Sequence, residues 1–396
     1  MPTPPGAGLK RDPKGLLDLP EGFHYRVVQR AGQPMSDGYR VPGRPDAMGC
    51  FPLSGGRYAL MRNHELDASL MAQGPYPADA TSAAPEAYDP ASPGGVTRIV
   101  LDARGRPLSS NLVLTGTTRN CAGGVSPWGW LSCEESVEPG HGYVFLCSAH
   151  ADAVQKPRRI ARYGRFMHEA AAIDPSNHAA YLTEDRVDGC LYRFVPHSRS
   201  DPFGPGQLSA LAVQGRPRFD LGLGLPAGAK LSLTWVNLPD SVVTRKDDAL
   251  RYIAREAGAA VVRRGEGIWP MEDGFAFTST SGGAAELGQV FHLSPTREGG
   301  TLRLIAESDD RKKLFMPDNL TVTPWGDLLV CEDNLRTPHL RLITRSGEVL
   351  PFAFNARSRS EFAGVCFSPD GRLLFVNIQE HGLTLAISGP WQSLSS

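Results

Sequence analysis

Carboxylates recur in this chain at the ends of paired apolar runs. Asp318 opens the stretch MPDNLTVTPWGDLLVCED (316–333), and Glu332 and Asp333 close it. Two short apolar runs around a Pro/Gly turn predict a β-hairpin, which brings its outer ends side by side. The same pattern puts Asp46, His64 and Glu65 at the ends of one segment, and Cys121, Glu134 and Glu135 at another. His168, Glu169, Glu184 and Asp185 end a third, Arg264 and Glu266 begin a fourth, and Glu361 begins the last. Two carboxylates about 4 Å apart repel by roughly 4 kcal/mol at an effective dielectric of about 20. A group of them must take up protons or hold cations. Oxygen ligands in number suit Ca²⁺, Mg²⁺ or ferric iron, whereas Cys121, outside any apolar strand run, is a soft ligand that favours a transition metal. Arg264 among such acids suits a bound phosphate or carboxylate. Each residue also has a plainer reading: an acid solvated at a strand end, a structural His64 or His168, an Arg264 that only pairs with Glu266.

The elements that must carry these residues form a repeat. Similar segments occupy 46–65, 120–135, 168–185, 264–280, 317–333 and 361–379. The shorter intervals match the roughly 40–50-residue period of a four-stranded propeller blade. Further strand-like pieces at 95–102, 142–148, 190–196, 288–295 and 339–347 complete the blades. The pattern predicts an all-β, six-bladed β-propeller over 1–396 as a single domain, with loop/helix insertions at about 66–94 and 198–260. Within the second insertion, residues 247–257 have helix-forming composition, and 22–30 or 383–389 closes the ring. A two-sheet sandwich with coincidental hairpins is the other architecture considered.

Bulk properties narrow the class. A net charge of −1 without a Lys/Arg-dense run argues against nucleic acid as the main partner. No run of about twenty apolar residues suggests a membrane span. Seven cysteines without a CxxC pair support no disulfide framework. The N-terminus shows neither an apolar leader nor a twin arginine, so the chain reads as intracellular unless a leader has been removed.

At these same residues the chain resembles the PhoX-type alkaline phosphatases. The matching stretches are RNHE (62–65), NCAGG (120–124), CEES (133–136), FMHEAAAIDP (166–175), YLTEDR (181–186) and RGEGIW (264–269). They continue through 317–333, EFAGVCFSPDG (361–371), FVNIQ (375–379) and SGPW (388–391). The resemblance implies a six-bladed propeller acting as a phosphomonoesterase on small phosphorylated substrates, with two ferric and up to three calcium ions. It assigns the irons to Cys121, Glu135, Glu169 and Glu266, and the phosphate to Arg264. Glu65, Asp318 and Glu361 are the expected calcium ligands. It also implies export to the periplasm or medium, and a monomer is expected. This chain is one residue shorter than the family pattern between Gly129 and Trp130. Two other functions stay open: a calcium-dependent propeller lactonase or phosphotriesterase, and a non-catalytic propeller that serves as a binding module.

Overall fold

The computed structural model describes residues 8–394, apart from 78–81, 244, 335 and 337. The chain is all-β, built from antiparallel meanders of the propeller-blade kind. All six expected hairpins form. Their first strands are Pro45–Leu53, Asn120–Ser126, His168–Ile173, Gly265–Met271, Pro317–Val322 and Phe362–Phe367. The chain divides into two compact units: 1–121 with 147–157 and 319–396, and 122–146 with 158–318.

The first unit holds three sheets. One runs in chain order through Pro45–Leu53, Arg57–His64, Gly94–Leu101 and Pro107–Thr117. A second contains Phe362–Phe367, Leu374–Ile378 and Leu383–Ser388, and the N-terminal strand His24–Arg30 adds to its outer edge along Leu383–Ser388. Both segments expected to close the ring therefore pair with each other. The third runs from Pro317–Val322 to Val349–Asn355 and receives Leu17–Asp18. Leu329, Leu342, Phe352, Phe362, Val376 and Leu385 share one apolar core between the last two sheets. Between the first two lies Arg62, fully buried, donating to Thr97, Gln29 (2.7 Å) and Thr384 (2.6 Å). With only neutral partners, burial lowers its pKa to about 9.

The second unit holds a four-stranded sheet, Asn120–Ser126 to Arg159–Ile160, and a nine-stranded one. In the larger sheet the meander from His168–Ile173 to Gly206–Val213 is joined to that from Gly265–Met271 to Gly299–Glu307 through Lys230–Asn237. The expected insertion 198–260 is thus partly sheet. Gly206–Val213 completes one meander, and Lys230–Asn237 bridges two. The helix expected at 247–257 forms at Leu250–Glu256, after a short one at Asp240–Val243. The expected insertion 66–94 contains a 3₁₀ segment, Ala68–Gln73, and its residues 78–81 lie outside the described residues.

The first strands are rich in Ala and Gly because neighbouring backbones crowd them. A Cβ at Gly124 would lie 1.6 Å from the carbonyl oxygen of Ala171. One at Gly364 (φ +66°) would lie 2.2 Å from that of Asp46. Only glycine admits such an approach.

Candidate metal centre

Five of the ligand-type residues obey a register: Asp46, Cys121, Glu169, Glu266 and Asp318 each occupy the second position of a first strand, with Ala363 there in the sixth, whereas Glu65 and Glu135 directly follow second strands. In three of these strands the pairing slips just there, between Pro45 and Met48, His168 and Ala171, and Gly265 and Ile268. A β-bulge of this kind re-aims a side chain at the strand's end. The residue entering four of the strands has left-handed backbone: Arg44 (φ 42°), Arg119 (φ 47°), Arg264 (φ 51°) and Met316 (φ 55°). Such conformations cost energy in a non-glycine residue and concentrate at functional sites.

In the second unit, Glu169, Glu266 and Asp318 bring ligand atoms within 4.8 Å of one another. Glu135 brings one equally near Glu169. Glu169, Glu266 and Glu135 are buried, and Asp318 is half-buried. Burial, followed by the charge of Asp185, pushes the Glu266 carboxyl well above its usual range; Glu169 and Asp318 add to the rise, while Arg264 opposes it. Glu135 directly follows the strand Gly129–Glu134 and is bridged to Met167. Arg264 donates to Asp185 through Nε (2.9 Å) and Nη2 (3.2 Å), and its Nη2 also meets Glu266 Oε1 at 2.5 Å. Four carboxylates, three of them buried, suit a hard cation such as ferric iron or Ca²⁺.

In the first unit, Asp46, Glu65 and Cys121 bring ligand atoms within 4.8 Å of one another. The Cys121 thiol donates to Asp46 Oδ2 at 3.8 Å. Glu65 receives Arg44 Nη2 at 3.0 Å and Arg119 Nη2 at 3.3 Å. Burial works against the charge of Arg44, but Glu65, Glu361 and Asp46 outweigh it and raise its pKa. Glu361 therefore lies near Arg44, one residue before its strand and two before the ligand register. A thiol beside two carboxylates suits a transition metal better than calcium alone.

Other acids at hairpin ends serve the fold. The last residue of the second strand is turned inward: Glu134 accepts from His141 (2.6 Å) and Gly142 N (2.9 Å). Glu184 accepts from Cys190 N (3.1 Å) and Tyr192 (2.9 Å), and Glu332 from Arg341 (2.8 Å) and His339 N (3.2 Å). His64 occupies the same position, bonded to Gly43 O at 2.9 Å and Thr97 at 2.8 Å. Burial holds His64 well below its ordinary pKa and His168 at about 3, so both are neutral structural groups. Sequence reasoning placed Asp46 at a hairpin end but gave it no ligand role. It missed Arg44 and Arg119, although both immediately precede a first strand as Arg264 does.

The family profile described as alkaline phosphatase PhoX matches residues 5–382. The structure of Pseudomonas fluorescens PhoX in complex with vanadate, a transition state analogue, is 18% identical; the match covers 97% of each chain with a TM-score of 0.72. A gluconolactonase from Xanthomonas campestris is 13% identical over 98% of this chain and 99% of that one, with a TM-score of 0.44. The calcium-binding protein regucalcin from Agrobacterium tumefaciens is 12% identical over 93% and 96%, also at 0.44. No curated protein matches the chain. The fold is that of the Pseudomonas protein, and the chain belongs to the alkaline phosphatase PhoX family.

Proposed function

We propose that the chain hydrolyses phosphate monoesters at the acids gathered by its first strands, with Arg264 holding the phosphate. The observation that carries this reading is the meeting of Glu169, Glu266 and Asp318, from three different strands, beside the Arg264 guanidinium. Ferric and calcium ions, if held by such acids, would neutralise the anionic ester and supply Lewis acidity. Glu135, Glu169 and Glu266, together with Cys121, would hold iron. Asp318, sharing a cluster with Glu169 and Glu266, joins that set more readily than a separate calcium site. Asp46 and Glu65 are the candidates for calcium, and Glu361 lies outside both clusters.

The chain's own groups supply binding and orientation. Arg264 has a planar fork that matches two phosphate oxygens. Asp185 fixes that fork on one side, and Glu266 restrains its Nη2. Burial of the acids keeps water from screening the charges on which binding depends.

We read the sheets as six blades of one propeller, the nine-stranded sheet counting as two blades joined through Lys230–Asn237. The substrates are small phosphorylated molecules, and the site of action is the periplasm or medium, as is typical of the family. Two irons and up to three calcium ions remain part of this proposal. A panel of chromogenic phosphomonoester, phosphodiester and lactone substrates tests it. Turnover of the monoester is expected; turnover of the lactone alone, or of none, would sink the reading.

A further inference from the structure

Gln379 carries no charge, yet it sits against the acids of the first unit. It directly follows the strand Leu374–Ile378. First-strand residue Phe362 pairs with Ile378, as Pro45 pairs with His64 and His168 with Glu184. Gln379 thus holds the position that Glu65 and Asp185 hold in their own hairpins. Its side chain is 2% exposed. Nε2 donates to Asp46 Oδ2 at 2.6 Å and to Glu65 Oε2 at 3.0 Å. Oε1 is buried and accepts no hydrogen bond from any described residue.

An amide oxygen buried without a donor loses the hydrogen bonds water would give it, which is unfavourable. That cost persists only where something offsets it. A divalent cation between Asp46 and Glu65 would do so. It would repel the amide N–H₂ and attract the carbonyl, and the terminal torsion of glutamine is soft enough to reverse the group. Half a turn exchanges Nε2 for Oε1 and leaves the rest of the side chain in place. Calcium takes six to eight oxygens and readily includes amide carbonyls. Arg44 and Arg119 already draw on the charge of Glu65, so a neutral oxygen adds coordination without adding to the repulsion.

We infer that Gln379 is a calcium ligand through Oε1, completing a site with Asp46 and Glu65. This rests on the reading that the Asp46–Glu65 pair holds a cation, and the experiment separates the two. Metal-stripped wild-type, Gln379→Leu and Gln379→Glu proteins are titrated with Ca²⁺ by calorimetry. Wild type that takes up no calcium contradicts the cation reading itself. Given wild-type binding, Gln379→Leu is expected to weaken one calcium site about tenfold or more. Gln379→Glu, which keeps an oxygen there and adds charge, is expected to bind at least as tightly as wild type. Unchanged binding by Gln379→Leu, or weaker binding by Gln379→Glu, overturns the assignment. Should Gln379→Leu fail to fold, the Gln379→Glu titration and a crystal structure of the calcium-loaded wild type decide. That crystal should place Oε1 about 2.3–2.6 Å from the ion. An ion bound to Asp46 and Glu65 while Nε2 still faces both carboxylates would refute the inference.

Discussion

Arg264 and Asp185 meet side-on: Nε lies 2.9 Å from Oδ1 and Nη2 lies 3.2 Å from Oδ2. Two parallel charge-assisted bonds fix the plane of the guanidinium before any phosphate arrives. Arg264→Ala is expected to lower kcat/KM for a phosphomonoester by about 100-fold or more. Asp185→Asn keeps the shape but loses the charge, so the fork is held less firmly. Weaker inhibition by inorganic phosphate and a higher KM, with a smaller change in kcat, are expected. Steady-state kinetics with phosphate inhibition measures both. If phosphate inhibition survives in Arg264→Ala, the residue does not bind phosphate.

Glu184 links stability to pH. Burial raises its pKa to about 7, with Arg251, Cys190 N and Tyr192 working in the opposite direction. The folded state keeps the proton above the unfolded-state pKa, so this contribution is full below about pH 4.5 and fades as pH rises through about 7. The shift corresponds to roughly 3 kcal/mol. Glu184→Gln lacks this dependence and should gain stability relative to wild type as pH rises from about 5 to 8. Urea denaturation across that range measures the difference; a constant gap would contradict the role given to burial.

Cys121 is the softest donor near the acids. Cys121→Ser exchanges a thiol for a hydroxyl of similar size and should lower bound iron while leaving calcium in place. Elemental analysis of protein purified without chelator reads both. Full iron occupancy in the variant would remove Cys121 from the ligand set.

Gly364 sets how closely the first strand of one sheet approaches Asp46. Its φ is +66°, and a methyl group added there would come within 2.2 Å of the Asp46 carbonyl oxygen, which leaves no room for a side chain. Gly364→Ala should destabilise the protein by about 2 kcal/mol or more. Calcium binding should weaken with it, because Asp46 must move. Chemical denaturation and a calcium titration check the two effects.

The hairpins were readable because apolar runs around Pro/Gly turns report local structure, and all six formed. The ligand register was harder to see. It depends on where each strand begins, and the bulges at Asp46, Glu169 and Glu266 are marked only by small residues. Glu361 looked equivalent to these acids but lies two positions before the register. Glu134, Glu184 and Glu332 looked like rim acids because their partners, His141, Tyr192 and Arg341, come from later strands. Gln379 escaped a search for charge. Lys230–Asn237 was hidden inside a segment that reads as an insertion, although its alternation of exposed and covered residues is strand-like.

Removing all metal from the protein and then restoring iron and calcium, separately and together, tests the central claim most directly. Hydrolysis of a chromogenic phosphomonoester should vanish on stripping and return fully only with both metals present. Stripped protein that keeps its full phosphatase activity would contradict the account.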